Sequence, residues 1–184
     1  EGAVVDASSG VVYLTEDRGE SLFYRFLPTV PGKLAEGGKL QALRVRDSHG
    51  DTRNRRDLPP FPKSRALPVD WVTLEGVDSP EDDLRARGRI EKRASIFSRG
   101  EGVFATSAGI FFTCTTGGGA GRGQIFRYGP SEREGTNGES ARPGTLELFL
   151  ETDETSGLRF PDNLSVAPWG DLFVCEDGGG GDGL

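Results

Sequence analysis

Hydrophobic and polar positions along this chain fall into short β-rich runs punctuated by glycine. Gly10-Val11-Val12-Tyr13-Leu14-Thr15-Glu16-Asp17 is echoed by Gly109-Ile110-Phe111-Phe112-Thr113-Cys114-Thr115-Thr116 and by Gly170-Asp171-Leu172-Phe173-Val174-Cys175-Glu176-Asp177. An acid stands eight or nine residues before each glycine and opens a short apolar strand: Glu1-Gly2-Ala3-Val4-Val5, Glu101-Gly102-Val103-Phe104-Ala105 and Asp162-Asn163-Leu164-Ser165-Val166. The pattern predicts an acid-strand-turn-strand unit that occurs three times.

Two further strands follow in the first two units. Leu22-Phe23-Tyr24-Arg25-Phe26-Leu27-Pro28 matches Gln124-Ile125-Phe126-Arg127-Tyr128-Gly129-Pro130, and Gly38-Lys39-Leu40-Gln41-Ala42-Leu43 matches Gly144-Thr145-Leu146-Glu147-Leu148-Phe149. Tandem four-stranded antiparallel units predict an all-β fold of the β-propeller type, each unit being one blade around a central channel. The units span about 1–46, 101–151 and 162–184 of a single partial propeller domain, so the chain covers about two and a half blades. It opens inside a strand-like pattern and stops in a glycine run, and is read as a fragment.

The interval from Asp47 to Ser98 reads as an insertion between the first two units. Its Asp51-Thr52-Arg53-Asn54-Arg55-Arg56-Asp57-Leu58-Pro59-Pro60 segment predicts a surface loop and Val69-Asp70-Trp71-Val72-Thr73-Leu74 a strand. A helix is then expected, capped by Ser79, with Pro80 at its first position and Glu81, Asp82 and Asp83 at its positive end. Leu84, Ile90, Ala94 and Phe97 would give it an apolar face, and Gly88 weakens it. Ser131 to Pro143 reads as an exposed polar loop on the blade rim.

Composition narrows the chemistry. The chain has 28 glycines among 184 residues and 34% hydrophobic residues, which favours short strands and tight turns. Its net charge is −7, and no basic-aromatic stripe suggests a nucleic-acid partner; cations are the expected partners. No apolar run is long enough to span a bilayer.

First strands line the channel of a propeller, so the repeated acids Glu1, Glu101 and Asp162 should converge at one mouth. Clustered carboxylates call for a proton, an Arg or Lys, or a hard cation, which makes a metal site the functional reading; turn caps are the alternative. Glu16-Asp17 and Glu176-Asp177 close the second strands of two units, and at most one member of each pair should face the site, solvated turn carboxylates being the alternative. Arg99, two residues before Glu101, would alternate to the same side and suit a phosphate oxygen, or else serve as a salt-bridge partner. Cys114 and Cys175 share one repeat position and read as small buried packing residues rather than a disulfide or a zinc site. The glycine run from 117 to 123 lacks the Lys-Ser/Thr of a phosphate-binding loop, and the one histidine, His49, gives no support to a His-dependent triad.

These residues in this order resemble the PhoX-type alkaline phosphatases, which are six-bladed β-propellers using calcium and iron. The resemblance rests on Glu1-Gly2-Ala3-Val4-Val5-Asp6, on Leu22 to Pro28 running on to Pro31-Gly32-Lys33-Leu34, on Arg99-Gly100-Glu101-Gly102, and on Pro161-Asp162-Asn163-Leu164 leading to Cys175-Glu176-Asp177. It implies that Glu1 is a metal-bridging glutamate, Asp17 a calcium-binding aspartate and Asp177 a further metal-site aspartate. Arg99 and Glu101 would be an Arg-x-Glu pair in which the arginine holds substrate phosphate and the glutamate binds metal. Glu16, Asp162 and Glu176 are weaker metal candidates. Gly100 and Gly102 stand where the family often has bulkier residues.

The implied activity is metal-dependent hydrolysis of phosphate monoesters after export to the periplasm or beyond. Alternatives are a calcium-stabilised propeller acting as a binding scaffold and a lactonase- or phytase-like hydrolase.

Overall fold

A computed structural model describes residues 1–46, 50–81 and 83–178. His49, Asp82 and the run Gly179 to Gly183 lie outside the described residues. β1 (Ala3–Val5), β2 (Val12–Leu14), β3 (Tyr24–Pro28) and β4 (Gly38–Val45) form an antiparallel meander, and β5 (Leu67–Thr73) from the insertion pairs with β4 as a fifth strand. A second meander comprises β6 (Gly100–Thr106), β7 (Gly109–Cys114), β8 (Gln124–Gly129) and β9 (Thr145–Glu151). β10 (Pro161–Val166) and β11 (Leu172–Glu176) make a hairpin. The turn glycines Gly10, Gly109 and Gly170 all have positive φ, at 73°, 127° and 103°, which explains why glycine recurs there.

The insertion does more than decorate the rim. β5 pairs with β9 as well as β4, joining both meanders into one nine-stranded sheet in the order β1-β2-β3-β4-β5-β9-β8-β7-β6. The sheet curls until β6 lies against β1 on one side and β10 on the other, so the first strand of each unit stands beside that of the next.

Between the two meanders lies an aromatic core. Phe23 stacks on Phe112 with ring centroids 4.1 Å apart, and Phe112 stacks on Phe126 at 5.4 Å. Tyr13, Phe97 and Tyr128 close around them, all fully buried. Burial of each such ring contributes roughly 1.5–3 kcal/mol, so alternate positions of the strands face inward.

Three local expectations need correction. The helix α1 runs Leu84–Ile90 and starts well after Ser79, whose hydroxyl instead accepts the amide of Glu81 at 3.3 Å. Asp83 at its start is taken up by Arg87 at 2.7 Å and caps nothing. Its inner side is Leu84 and Gly88, the latter buried against Leu22 and Leu74; Ile90 is exposed, and Ala94 and Phe97 are buried beyond its end.

The segment from Ser131 to Pro143 is exposed only in part. Glu134 turns inward and accepts hydrogen bonds from Arg25 Nη1 at 2.6 Å, from the hydroxyls of Tyr13 and Tyr128, and from the Ser131 amide. Glu139 receives both guanidinium nitrogens of Arg25, at 2.6 and 2.7 Å. Arg25 also lies 4.6 Å over the Trp71 ring. The loop therefore fastens the second unit to the first.

The third correction is Cys175, which is exposed because β11 pairs only with β10 among the described residues, whereas Cys114 is buried. No helix among the described residues is long and apolar enough to cross a membrane.

Candidate active site

The mouth of the curled sheet is built by threonines that tie one unit to the next. Thr15 Oγ1 donates to the carbonyl of Glu101 and accepts the amide of Gly2 at 2.8 Å. Thr113 Oγ1 donates in the same way to the carbonyl of Asp162. Each hydroxyl near the end of one second strand thus fixes the strand-opening acid of the following unit.

Arg99 stands just ahead of β6 with φ of 53°, a left-handed conformation that non-glycine residues seldom adopt. Its amide donates to Arg18 at 2.8 Å and its carbonyl accepts from Thr115 at 3.0 Å, so the backbone is held from both sides. That kink, and not strand alternation, aims its guanidinium into the mouth. Nε donates to Asp17 Oδ1 at 2.8 Å and Nη2 to Oδ2 at 3.3 Å. Nη2 also lies 3.5 Å from Glu101 and 3.7 Å from Asp177. Asp17, Arg99, Glu101 and Asp177, from three different units, form one cluster.

Close approach depends on two glycines. A side-chain carbon on Gly102 would come within 2.7 Å of the Asn163 backbone, and one on Gly100 within 3.3 Å of Glu16. The small residues beside Arg99 and Glu101 therefore let β10 and the 15–16 segment pack directly on β6.

The carboxylates of the cluster are not equivalent. The Arg99 guanidinium holds the Asp17 carboxyl below the usual range. Burial pushes Glu101 upward, and its neighbour Asp17 adds to the shift. Arg99 is pushed up, chiefly by its hydrogen bonds to Asp17. One carboxylate is thereby committed to its charge while the adjacent one resists ionisation, the expected behaviour of acids sharing a site.

The remaining sequence candidates stand apart. Glu1 borders the cluster, with its carboxylate exposed and its main-chain nitrogen beside Glu101 Oε2. Glu16 turns away to accept from Tyr24 at 2.9 Å and Arg85 at 2.7 Å. Glu176 accepts the Arg159 amide at 2.6 Å. Asp162 joins the mouth through its carbonyl. Sequence reasoning missed the threonine ties, although Thr15 and Thr113 both sit near the ends of second strands, where a repeat-by-repeat comparison of hydroxyls could find them.

Whether these residues suit a metal can be judged from their donors. Asp17, Glu101 and Asp177 direct carboxylate oxygens toward one shared cationic group, and such oxygens suit a hard cation such as calcium. The shared cation in this structure is Arg99, and among the described residues no three His, Cys, Asp or Glu side chains are grouped so as to hold an ion. The chemistry of the donors fits calcium; the cluster as folded is centred on arginine.

The family model for alkaline phosphatase PhoX matches residues 1–183. Among solved structures, the chain is similar to Pseudomonas fluorescens PhoX in complex with vanadate, a transition state analogue, with a TM-score of 0.62 at 17% identity. That match covers 96% of this chain and 38% of the other, so the chain spans well under half of that relative's length. The likeness supports the all-β, propeller-type fold read from the repeat. No curated protein matches.

Proposed function

We propose, from the premise that this chain belongs to the alkaline phosphatase PhoX family, that it supplies part of the active site of a metal-dependent phosphomonoester hydrolase. The observation that carries the reading is Arg99, whose guanidinium is gathered with Asp17, Glu101 and Asp177 at the mouth where the units meet. A planar guanidinium binds two phosphate oxygens at once and stabilises charge that develops on them during ester cleavage. Asp17 orients the fork through Nε. Glu101, only 12% exposed, sits beside it, its carboxyl pushed above the ordinary value by burial and by its neighbour Asp17.

Asp17, Glu101, Asp177 and Glu1 are the residues that would hold a hard cation. A bound calcium or iron would neutralise phosphate charge and polarise the phosphoryl group. Export to the periplasm or beyond belongs to the same proposal.

The test uses the full-length protein that carries this chain, a chromogenic phosphate ester, and metal analysis for calcium and iron with and without chelator. Arg99→Ala is expected to lower kcat/KM by about 10²–10³, the loss typical of one transition-state donor. Unchanged turnover and affinity would remove the assigned role. Stoichiometric calcium with no turnover in the unmodified protein would favour a scaffold.

A further inference from the structure

A second cleft, of about 550 Å³, lies between the insertion segment 53–57 and the turn 116–121, with Ser98, the chain neighbour of Arg99, in its wall. It is lined by Arg53, Arg55 and Arg56 against the lone acid Asp57, in a chain whose net charge is −7. Arg56 is exposed and has no hydrogen-bond or ion-pair partner among the described residues. Arg55 has only a 3.5 Å contact with Asp57, both side chains being largely exposed. Arg53 is different: Asp51 holds it at 2.7 Å and Glu20 at 3.5 Å, so it shapes the wall.

The opposite wall supplies neutral donors. Ser98 and Thr116 pair their hydroxyls at 2.9 Å. In the turn closed by Gly121 N donating to Gly118 O, the central amides of Gly119 and Ala120 make no hydrogen bond among the described residues. Successive free amides in a turn next to guanidinium groups are a setting that attracts anions.

Both walls are fixed in place. Gly118 N donates to Arg53 O at 3.0 Å, and Gln124 Nε2 donates to Thr52 O at 2.9 Å. Asn54, at φ of 54°, accepts the Phe61 amide and donates to Glu151. The cleft is also joined to the Arg99 cluster. Ser98 is the residue before Arg99, and a single turn receives both arginines, Arg18 O accepting the Arg99 amide and Gly19 O accepting Arg53 Nη1 at 3.1 Å.

We infer that this cleft is a second anion subsite, with Arg55 and Arg56 selecting substrates whose leaving group carries a further phosphoryl group. The inference rests on the phosphatase reading for its substrate class, while its binding chemistry stands on the cleft alone. The phosphate to be cleaved would lie at Arg99 and the distal phosphate between the arginines and the 118–121 turn.

The test compares fructose 1,6-bisphosphate with fructose 6-phosphate on the full-length protein. Binding is measured by calorimetry on the unmodified protein, on the Arg55→Ala/Arg56→Ala double variant, and on Arg65→Ala, an exposed arginine outside the cleft that controls for lost charge. Expected is about tenfold tighter binding of the bisphosphate, an advantage lost in the double variant and kept in Arg65→Ala, with monophosphate affinity moving less than about twofold. Equal binding of the two sugars, or an advantage that survives in the double variant, overturns the subsite. An advantage that depends on Arg55 and Arg56 without turnover of either sugar supports the subsite and counts against the phosphatase reading.

Discussion

Arg99 donates to both oxygens of Asp17, through Nε at 2.8 Å and Nη2 at 3.3 Å, although 82 residues separate them in sequence. Asp17 therefore orients the group proposed to hold phosphate. Asp17→Asn keeps the side chain's shape but removes its charge and one acceptor. The expected outcome is a rise in KM for a phosphate ester of about tenfold, with weaker competition by inorganic phosphate and a smaller change in kcat. Steady-state kinetics with parallel metal analysis checks it: unchanged phosphate affinity at full metal content would show that Asp17 does not position Arg99.

Gly102 offers a test that touches no charged group. A methyl there would meet the Asn163 backbone at 2.7 Å, and backbone cannot swing aside as a side-chain tip can. Gly102→Ala is expected to cost about 1–3 kcal/mol in unfolding free energy, as overpacking typically does. It should also lower activity by moving the third-unit hairpin, which leads to Asp177, away from Glu101. Gly157→Ala, which has open space around it, should do neither. Denaturant titration and turnover of the two variants separate the cases.

The repeat was legible because period-two alternation and positive-φ glycines are local signals: Gly10, Gly109 and Gly170 mark their turns whatever surrounds them. Arg99 and Glu101 were legible as a pair for the same reason, together with the family resemblance. The route by which Arg99 reaches its acids was not, since a φ of 53° in a residue with a side chain leaves no trace in the pattern. Nor was the pairing of β5 with β9 or the inward turn of Glu134. Those contacts join segments far apart in the chain, and a polar residue written into a loop carries no mark of the arginine it will meet. Ile90 and Cys175 failed in the other direction, being apolar or small positions that the fold leaves uncovered among the described residues.

Arg25 is the next test. Only 2% of its side chain is exposed, and it is the cation facing both Glu134 and Glu139. Arg25→Ala strands two carboxylates in a buried site and removes the contact over Trp71. Breaking a buried pair on one side costs roughly 3–5 kcal/mol. Adding Glu134→Gln and Glu139→Gln to Arg25→Ala should recover part of the loss by removing the unpaired charges. Urea midpoints of the single and triple variants decide it; a triple variant no more stable than the single one would show that packing, not charge, dominates.

Asp70 supplies a pH test with a defined sign. Burial alone would raise its carboxyl, but hydrogen bonds from Arg46 at 2.6 and 2.9 Å and from Arg44 at 3.1 Å outweigh that and hold it below its ordinary value of 3.8. A carboxyl depressed in the folded protein contributes stability above its unfolded value and loses it as pH falls through the folded one. Asp70→Asn should therefore cost about 1 kcal/mol at pH 7, a modest figure because all three partners are partly exposed. The gap should begin to narrow as pH approaches 3.8 and close once Asp70 is protonated in the folded state too. Unfolding curves for both proteins from pH 7 to pH 3 measure it directly. A gap that widened on acidification would mean that the two arginines do not control this carboxylate.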